Sequence, residues 1–375
     1  MSDEMSDFLQ LAAPGVRGLH PYQPGKPIEE LEREYGVSNI IKLASNENPL
    51  GPSPLALEAA GQALKDSWLY PDGAGFALKQ KLGEKFGFAM NQITLGNGSS
   101  DVLEFAMRAF VTPNDEVIFS KHSFAVYPIL TQAAGARAVV TPAKNWGNDL
   151  AAMREAVTER TRLIFIANPN NPTGTCLGRG ELESFLRDLP AHVMVVLDEA
   201  YFEYANFAGL GGTDYPNGLE WVDHYPNLIV ARTFSKSYGL AGLRVGYSVS
   251  HPVVADLLNR VRPPFNVNLV AMAAAVAALD DDEHLLRTVS LNRDGMQQLV
   301  AGFKALGLDY IPSGGNFISV DMGRVAAPLY EALLREGIIV RPVANYAMPN
   351  HLRVTIGTPE QNERFLDALK KVLAA

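Results

Sequence analysis

The most informative run of residues is Thr233-Phe234-Ser235-Lys236-Ser237-Tyr238-Gly239-Leu240-Ala241-Gly242-Leu243-Arg244. It follows the apolar run Leu228-Ile229-Val230, which predicts a buried strand. A lysine at the mouth of such a strand is partly shielded from water, which lowers its pKa and leaves more of the neutral, nucleophilic amine. Serine hydroxyls and an arginine are the hydrogen-bond partners that a phosphate ester requires. The run therefore predicts an imine-forming lysine, Lys236, beside a phosphate site that includes Ser235 and Arg244. The alternative is a solvated lysine in a loop rich in serine and glycine.

Two further predicted strands end in polar side chains. One ends at Asp198, with Tyr201 three residues later, and the other leads into a loop that contains Asn171 between two prolines. A carboxylate at the carboxyl end of such a strand points into the crevice where α/β folds bind ligands. Pyridoxal 5′-phosphate (PLP) needs an anion beside its pyridine nitrogen, and Asp198 fits that role. Tyr201 and Asn171 could hydrogen-bond the ring oxygen O3′. Taken singly, each could instead be a capped strand end or a rigid turn.

The order of these motifs resembles that of the fold-type I PLP aminotransferases. The motifs are N-P-N-N-P-T-G at 168–174, D-E-A-Y at 198–201 and S-K-S-Y-G-L-A-G-L-R-V-G-Y at 235–247. The resemblance covers nearly the whole chain. P-Y-Q-P-G-K-P-I-E-E-L at 21–31 and K-L-A-S-N-E-N-P-L-G-P-S-P at 42–54 are similar to the histidinol-phosphate branch, and G-G-N-F, G-I-I-V-R-P and L-R-V-T-I-G later in the chain agree with it.

A glycine-rich turn predicts a second part of the phosphate site. Gly98, Ser99 and Ser100 directly precede a predicted helix, whose free N–H groups and positive dipole end favour an anion. Ser99 and Ser100 could also be plain N-caps. The resemblance implies that Tyr70 reaches the phosphate from a partner subunit, so that the site is complete only in a homodimer, and that Phe124 stacks on the pyridine ring.

The resemblance also implies residues for the substrate. Arg353 lies inside a predicted β-run, where an unpaired charge is costly, and Arg341 ends another strand. In the family an arginine at the position of Arg353 binds the anionic end of the substrate, and in the histidinol-phosphate branch one at the position of Arg341 does the same. Tyr22 and Asn48 are further candidates. Structural salt bridges for the arginines and a loop cap for Asn48 are the alternatives.

The predicted fold class is α/β, of the fold-type I PLP-dependent transferase kind. Strands alternating with helices predict a large domain around a mostly parallel sheet, which the resemblance makes seven-stranded. A smaller α+β domain is expected at the carboxyl end. We expect three segments: an N-terminal arm at 1–45 that packs with the small domain, a large PLP-binding domain at 46–265, and the small domain with its linking helix at 266–375.

Composition limits the possible partners. The 375 residues carry a net charge of -9 without a long basic run, which argues against nucleic acid and against a membrane surface. The single cysteine, Cys176, fits a reducing cytoplasm and is not expected to be catalytic. The seven histidines show no ligand-like pairing, so no metal is expected.

The implied reaction is transamination. L-Histidinol phosphate and 2-oxoglutarate would give imidazole-acetol phosphate and L-glutamate, with Lys236 as general base and acid. Two alternatives stay open: an aminotransferase for aromatic amino acids, and a PLP decarboxylase acting on threonine phosphate. A PLP-dependent transcription regulator is disfavoured because the proline-broken, acidic first segment cannot supply a DNA-binding domain. A dehydrogenase is disfavoured because no G-x-G-x-x-G follows an early strand.

Overall fold

The computed structural model describes residues 8–374. Its strands are β1 (Ile41–Lys42), β2 (Ile93–Gly96), β3 (Glu116–Ser120), β4 (Arg137–Thr141), β5 (Ala143–Lys144), β6 (Gly147–Asn148), β7 (Thr161–Ala167), β8 (Met194–Asp198), β9 (Leu228–Thr233), β10 (Gly246–Ser250), β11 (Tyr310–Ile311), β12 (Phe317–Asp321), β13 (Ile338–Ile339), β14 (Arg341–Pro342) and β15 (His351–Thr355). The helices are α1 (Pro14–Arg17), α2 (Ile28–Tyr35), α3 (Pro54–Ala63), α4 (Phe76–Phe86), α5 (Ser99–Phe110), α6 (Val126–Ala133), α7 (Leu150–Glu155), α8 (Arg179–Arg187), α9 (Phe202–Phe207), α10 (Pro252–Val261), α11 (Leu269–Ala278), α12 (Asp282–Ala305), α13 (Ala327–Arg335) and α14 (Pro359–Ala374).

A seven-stranded sheet, in the order β2-β10-β9-β8-β7-β3-β4, forms the centre of the larger part. Only β10 runs antiparallel to its neighbours, so the predicted mostly parallel sheet is confirmed. Helices cover both faces, and for that reason its central strands are apolar on both sides. On β7, Ile164 and Ile166 join one buried cluster, while Leu163 and Phe165 join the other.

The sheet topology places the polar motifs together. The chain leaves β7 at Ala167, β8 at Asp198 and β9 at Thr233, and these three parallel strands are neighbours. Their carboxyl ends therefore lie at one edge of the sheet, where α/β folds bind ligands. Strand β10 begins at Gly246, two residues after Arg244, which has a left-handed backbone with φ of 60°.

The smaller part is built on a four-stranded antiparallel sheet in the order β11-β12-β15-β14. Helices α12, α13 and α14 pack on it through a separate apolar cluster that includes Leu299, Leu333 and Phe365. The linking helix expected after residue 265 is two helices in the structure, α11 and the 24-residue α12. Leu31 of α2 packs with Leu334 and Ile339, and β1 pairs in parallel with β13. The domain boundaries at 45/46 and 265/266 stay predictions.

Within residues 8–374, no helix is both long and apolar enough to cross a membrane. The same part of the chain has no group of three or more His, Cys, Asp or Glu side chains arranged to hold a metal ion.

Candidate active site

A cavity of about 470 Å³ lies at the carboxyl edge of the large sheet. Its walls come from three sources: the strand ends of the large sheet, the N-terminal segment, and the small antiparallel sheet. The structure brings most of the sequence-predicted residues into this one cavity, and these are Tyr22, Ser99, Ser100, Phe124, Asn171, Asp198, Tyr201, Ser235, Lys236, Arg244, Arg341 and Arg353.

Lys236 lies in the cavity three residues after β9 ends. Its Nζ donates a 3.2 Å hydrogen bond to the Ser45 carbonyl and lies 5.7 Å from the centre of the Tyr201 ring. Burial and the nearby Arg353 cation lower the pKa of Lys236 to about 8, although Glu47 and Asp198 oppose the shift. A much larger fraction of Lys236 than of an ordinary lysine is therefore the neutral amine near neutral pH.

Asp198 ends β8 and is almost fully buried. Its Oδ2 accepts a 2.9 Å hydrogen bond from the Tyr127 hydroxyl, and its Oδ1 accepts one of 3.2 Å from the Ala200 N–H. Burial raises the pKa of Asp198 to about 6, against these hydrogen bonds. The carboxylate is thus mostly ionised at pH 7, and a cationic ring nitrogen placed beside it would hold it so. Tyr127 was not predicted; its position one helical turn after Phe124 was the available signal.

Donors of hydrogen bonds converge at the N-terminus of α5. Gly98 precedes the helix with φ of 86°, and a Cβ there would lie 2.3 Å from Arg244 Nη2, so only glycine fits. Arg244 Nη1 lies 3.4 Å from Ser235 Oγ. Ser99 and Ser100 add hydroxyls at the same cavity wall. A guanidinium, three hydroxyls and a helix N-terminus fit a phosphate dianion. Gly98 itself supports this wall and does not line the cavity.

A hydrogen-bonded chain connects the other end of the cavity to the small sheet. The Tyr201 hydroxyl accepts hydrogen bonds from Asn46 Nδ2 at 2.9 Å and Asn171 Nδ2 at 3.3 Å. Arg353 Nη1 donates to Asn171 Oδ1 at 2.6 Å, and its Nη2 donates to the Ala44 carbonyl at 2.7 Å. Burial raises the pKa of Tyr201 to about 12, so its hydroxyl keeps a proton to donate at neutral pH.

Arg341 and Arg353 are direct cross-strand partners on β14 and β15. Both are buried, at 7% and 5% exposure. Arg341 Nη2 donates to the Gln23 carbonyl at 2.5 Å, and the Arg353 Nε is buried without a partner in the part of the chain described. Neither guanidinium has an Asp or Glu ion-pair partner among residues 8–374. Two like charges facing each other across a ladder are destabilising unless an anion joins them.

Tyr22 completes this end of the cavity. The Arg341 guanidinium lies 5.9 Å from the Tyr22 ring centre, and Tyr22 packs edge-on against Phe124 at 6.4 Å. The N-terminal segment therefore covers the arginine pair with an aromatic ring that is itself 45% exposed.

Two predicted residues lie elsewhere. Asn48 does not line the cavity: its Nδ2 donates to the Ser237 carbonyl at 3.0 Å and to Thr288 Oγ1 at 3.1 Å. Asn46, with a left-handed backbone, turns into the cavity in its place. Tyr70 is 83% exposed and stacks on Phe265 at 4.7 Å, outside the cavity of its own chain.

A buried ion pair links the carboxyl ends of β8 and β9, next to Asp198. Arg232, 1% exposed, donates to Glu199 Oε2 through Nε at 2.9 Å and Nη2 at 2.7 Å. Its guanidinium lies 3.5 Å from the Phe202 ring centre. The pair connects the residue after Asp198 to the strand before Lys236. The only signal in the sequence was an arginine within an otherwise apolar strand.

Comparison with known proteins agrees with this arrangement. The family model "Aminotransferase class I and II" matches residues 38–369. The chain is 62% identical over 370 residues to histidinol-phosphate aminotransferase 2 of Pseudomonas fluorescens, covering 98% of this chain and 99% of that protein. It is 60% identical over 366 residues to histidinol-phosphate aminotransferase 1 of Nitrosococcus oceani, covering 98% of each. The crystal structure of histidinol-phosphate aminotransferase from Sinorhizobium meliloti in complex with PLP has a TM-score of 0.88 at 31% identity and covers 96% of this chain and 97% of that one.

The fold and the cavity are those of a fold-type I PLP-dependent transferase. The cavity fits PLP, because a lysine of lowered pKa, a buried carboxylate and a phosphate site all face one space. The chain belongs to the class I and II aminotransferase family, and its cofactor is PLP.

Proposed function

We propose that this protein transfers the amino group of L-histidinol phosphate to 2-oxoglutarate, giving imidazole-acetol phosphate and L-glutamate in histidine biosynthesis. The observation that carries the proposal is the buried pair Arg341 and Arg353, which lacks an acidic partner among the described residues. The pair suits a substrate that ends in a phosphate dianion. The names of the relatives at 60–62% identity support the same substrate.

The residues around the cofactor position each have a role in the reaction. Bound PLP supplies an electron sink that stabilises negative charge at the substrate Cα. Asp198 would pair with the ring nitrogen and keep it protonated, while Tyr201 and Asn171 would donate hydrogen bonds to the ring oxygen. Ser235, Arg244 and the Gly98–Ser100 turn would hold the phosphate group. Phe124 would pack on the ring.

Lys236 moves the proton. With the substrate amine bound at the cofactor, the Nζ of Lys236 would be a free amine of lowered pKa, suited to remove the proton from the substrate Cα and to return a proton at C4′, the aldehyde carbon of PLP. Its hydrogen bond to Ser45 and its contact with Tyr201 limit where the amine can lie. Proton removal and return by one group need a pKa near the working pH, which burial provides.

The arginine pair binds two substrates in turn. A phosphate can accept hydrogen bonds from both guanidinium groups, whereas a carboxylate of glutamate needs one bidentate arginine. Arg353 is the common anchor, because it also contacts Asn171 beside the cofactor position. Arg341, with Tyr22 above it, gives the additional contact that phosphate uses.

We propose further that the active unit is a cytoplasmic homodimer. Trp68, Leu69, Tyr70 and Phe265 form a patch of exposed apolar side chains, with exposures of 79%, 49%, 83% and 45%. A patch of this kind suits burial against a second copy. Tyr70 would then complete the phosphate site of its neighbour. One cysteine among 375 residues fits a reducing compartment.

A substrate panel tests the proposed function. Purified protein with PLP is mixed with 2-oxoglutarate and, separately, with histidinol phosphate, phenylalanine, tyrosine and threonine phosphate, and both glutamate and carbon dioxide are measured. We expect the highest kcat/KM for glutamate formation with histidinol phosphate. A higher value with phenylalanine or tyrosine would indicate an aromatic aminotransferase. Release of carbon dioxide from threonine phosphate would indicate a decarboxylase.

A further inference from the structure

Ser237, the residue after Lys236, is held by two separate elements. It is fully buried, and its Oγ donates a 2.9 Å hydrogen bond to Glu203 Oε2. Its carbonyl accepts the 3.0 Å hydrogen bond from Asn48 Nδ2. Unlike Ser235, Ser237 does not line the cavity, and its hydroxyl is directed to Glu203. The hydroxyl and the carbonyl of Ser237 therefore both fix the backbone next to Lys236.

Glu203 is a buried carboxyl for which the reaction gives no role. It lies on α9 and is 4% exposed. Burial raises its pKa, although the nearby Arg232 cation opposes the shift. Glu203 has no ion-pair partner within 4.0 Å among residues 8–374, and its side-chain partner is Ser237. A buried carboxyl whose hydrogen bonds come from one neutral hydroxyl and its own backbone N–H costs stability, which indicates a role other than stabilising the fold.

Asn48 connects the same residue to the small-domain side. Its Nδ2 also donates to Thr288 Oγ1 on α12, the long helix that continues into the small domain. The adjoining loop is in close contact with the turn after Lys236, because a Cβ on Gly239 would lie 2.3 Å from the Gly51 carbonyl oxygen. That carbonyl also lies 3.0 Å from His284 Nε2 on α12. The loop thus fills the space between the Lys236 turn and this helix.

We propose that Glu203 and Asn48 are positioning residues, which hold Ser237 and thereby fix the Nζ of Lys236 at the Ser45 carbonyl. The proposal rests on the role of Lys236 in the proposed function, but not on which amine is the substrate. Without either contact, the turn can shift and the amine moves toward solvent.

The test measures Lys236 directly in PLP-free protein. Its Nζ is acylated with acetic anhydride across pH, and the modified peptide is quantified by mass spectrometry. Glu203→Gln keeps a hydrogen-bond acceptor for Ser237. Glu203→Leu and Ser237→Ala remove the contact between these two residues, and Asn48→Ala removes the contact with the Ser237 carbonyl.

Glu116→Gln is the matched control. Glu116 is about as buried as Glu203, but it contacts Arg137, Arg160 and Thr158, which are far along the chain from Lys236. The charged groups that act on Lys236, which are Arg353, Glu47, Arg244 and Asp198, are unchanged in every variant.

The wild-type midpoint is expected near pH 8, and the same midpoint is expected for Glu203→Gln and Glu116→Gln. Loss of one hydrogen bond should raise the midpoint by about 0.4–1 pH unit in Glu203→Leu, Ser237→Ala and Asn48→Ala. With PLP bound, these three should lose kcat by roughly tenfold with little change in KM, whereas Glu203→Gln keeps most of it. Ser237→Ala removes a single oxygen atom, which is a smaller change than Glu203→Leu. It therefore tests the same contact if the Glu203→Leu protein does not fold.

Three results would overturn the proposal: folded Ser237→Ala and Asn48→Ala with wild-type midpoints, a Glu203→Gln variant that behaves like Glu203→Leu, or an equal shift in the Glu116→Gln control. Failure of the proposed function is distinguishable, because it would remove activity with histidinol phosphate while leaving the labelling results as expected.

Discussion

Arg353 Nη1 donates a 2.6 Å hydrogen bond to Asn171 Oδ1, which joins the small antiparallel sheet to a loop of the seven-stranded sheet. The same guanidinium holds the Ala44 carbonyl through Nη2. One side chain therefore orients Asn171 and presents a positive charge to the cavity.

Substitution of Arg353 should impair both half-reactions. Each charge-assisted contact is worth roughly 1.5–3 kcal/mol, so Arg353→Ala is expected to lower kcat/KM about 10- to 150-fold for histidinol phosphate and for glutamate. Arg353→Lys should recover little, because an ammonium cannot make the two parallel contacts of a guanidinium. Single-turnover absorbance measurements of each half-reaction provide the check. Unchanged turnover of glutamate would count against Arg353 as the common anchor.

Asp198 should contribute to function at the expense of stability. Its folded pKa of about 6 lies above its ordinary value of 3.8, so the stability that it contributes is present below pH 4 and is lost as the pH rises through 6. Asp198→Asn should then raise the free energy of unfolding of PLP-free protein by roughly 1–3 kcal/mol at pH 8 and by little at pH 4. Urea unfolding at the two pH values measures this. The variant should be almost inactive, and a loss of stability at pH 8 would contradict the assignment.

Lys236→Ala should abolish turnover. The purified wild-type protein should be yellow, and borohydride should remove this visible absorbance by reducing the imine between PLP and Lys236 to a stable secondary amine. The variant should bind PLP without a covalent link. Mass spectrometry of the borohydride-treated proteins should therefore find PLP attached to the wild-type chain and not to the variant. Near wild-type transamination by Lys236→Ala would show that another group moves the proton.

Tyr70 allows a test of the homodimer. Lys236→Ala and Tyr70→Ala chains, each of low activity alone, should recover part of the activity when mixed, because one site of each hybrid dimer is free of both changes. A Phe265→Ala chain can be compared with Tyr70→Ala, because it removes the ring that stacks on Tyr70 while it keeps Tyr70 itself. If subunits exchange, as shown by two affinity tags, and no activity returns, the sites are not shared.

Much of the fold could be predicted because its signals are local. Short apolar runs that end in Asp198, at Asn168 and before Lys236 indicated parallel strands with their polar ends together, and the structure confirms the seven-stranded sheet. The helix predicted at the Gly98–Ser100 turn was equally predictable, because a helix start depends on neighbouring residues, and α5 begins at Ser99.

The remainder depended on contacts between distant parts of the chain. Nothing in S-N-E-N indicated that Asn46 would enter the cavity while Asn48 would reach Ser237, since the left-handed backbone at Asn46 sets which side chain turns inward. The ion pair of Arg232 and Glu199 likewise joins β9 to the residue after β8. It depends on the register between these two strands, which the sequence does not give.

Recognition of phosphate by Arg341 is the central claim, and its most direct test compares histidinol phosphate with histidinol, which lacks the phosphate. In wild-type protein, kcat/KM should favour histidinol phosphate by at least about 100-fold, because histidinol lacks the two charge-assisted contacts that the phosphate would make with Arg341 and Arg353. In Arg341→Ala that preference should shrink about 10- to 150-fold, while the kcat/KM for glutamate changes less. An equal preference in wild-type and Arg341→Ala proteins would contradict the account and would favour a substrate without phosphate.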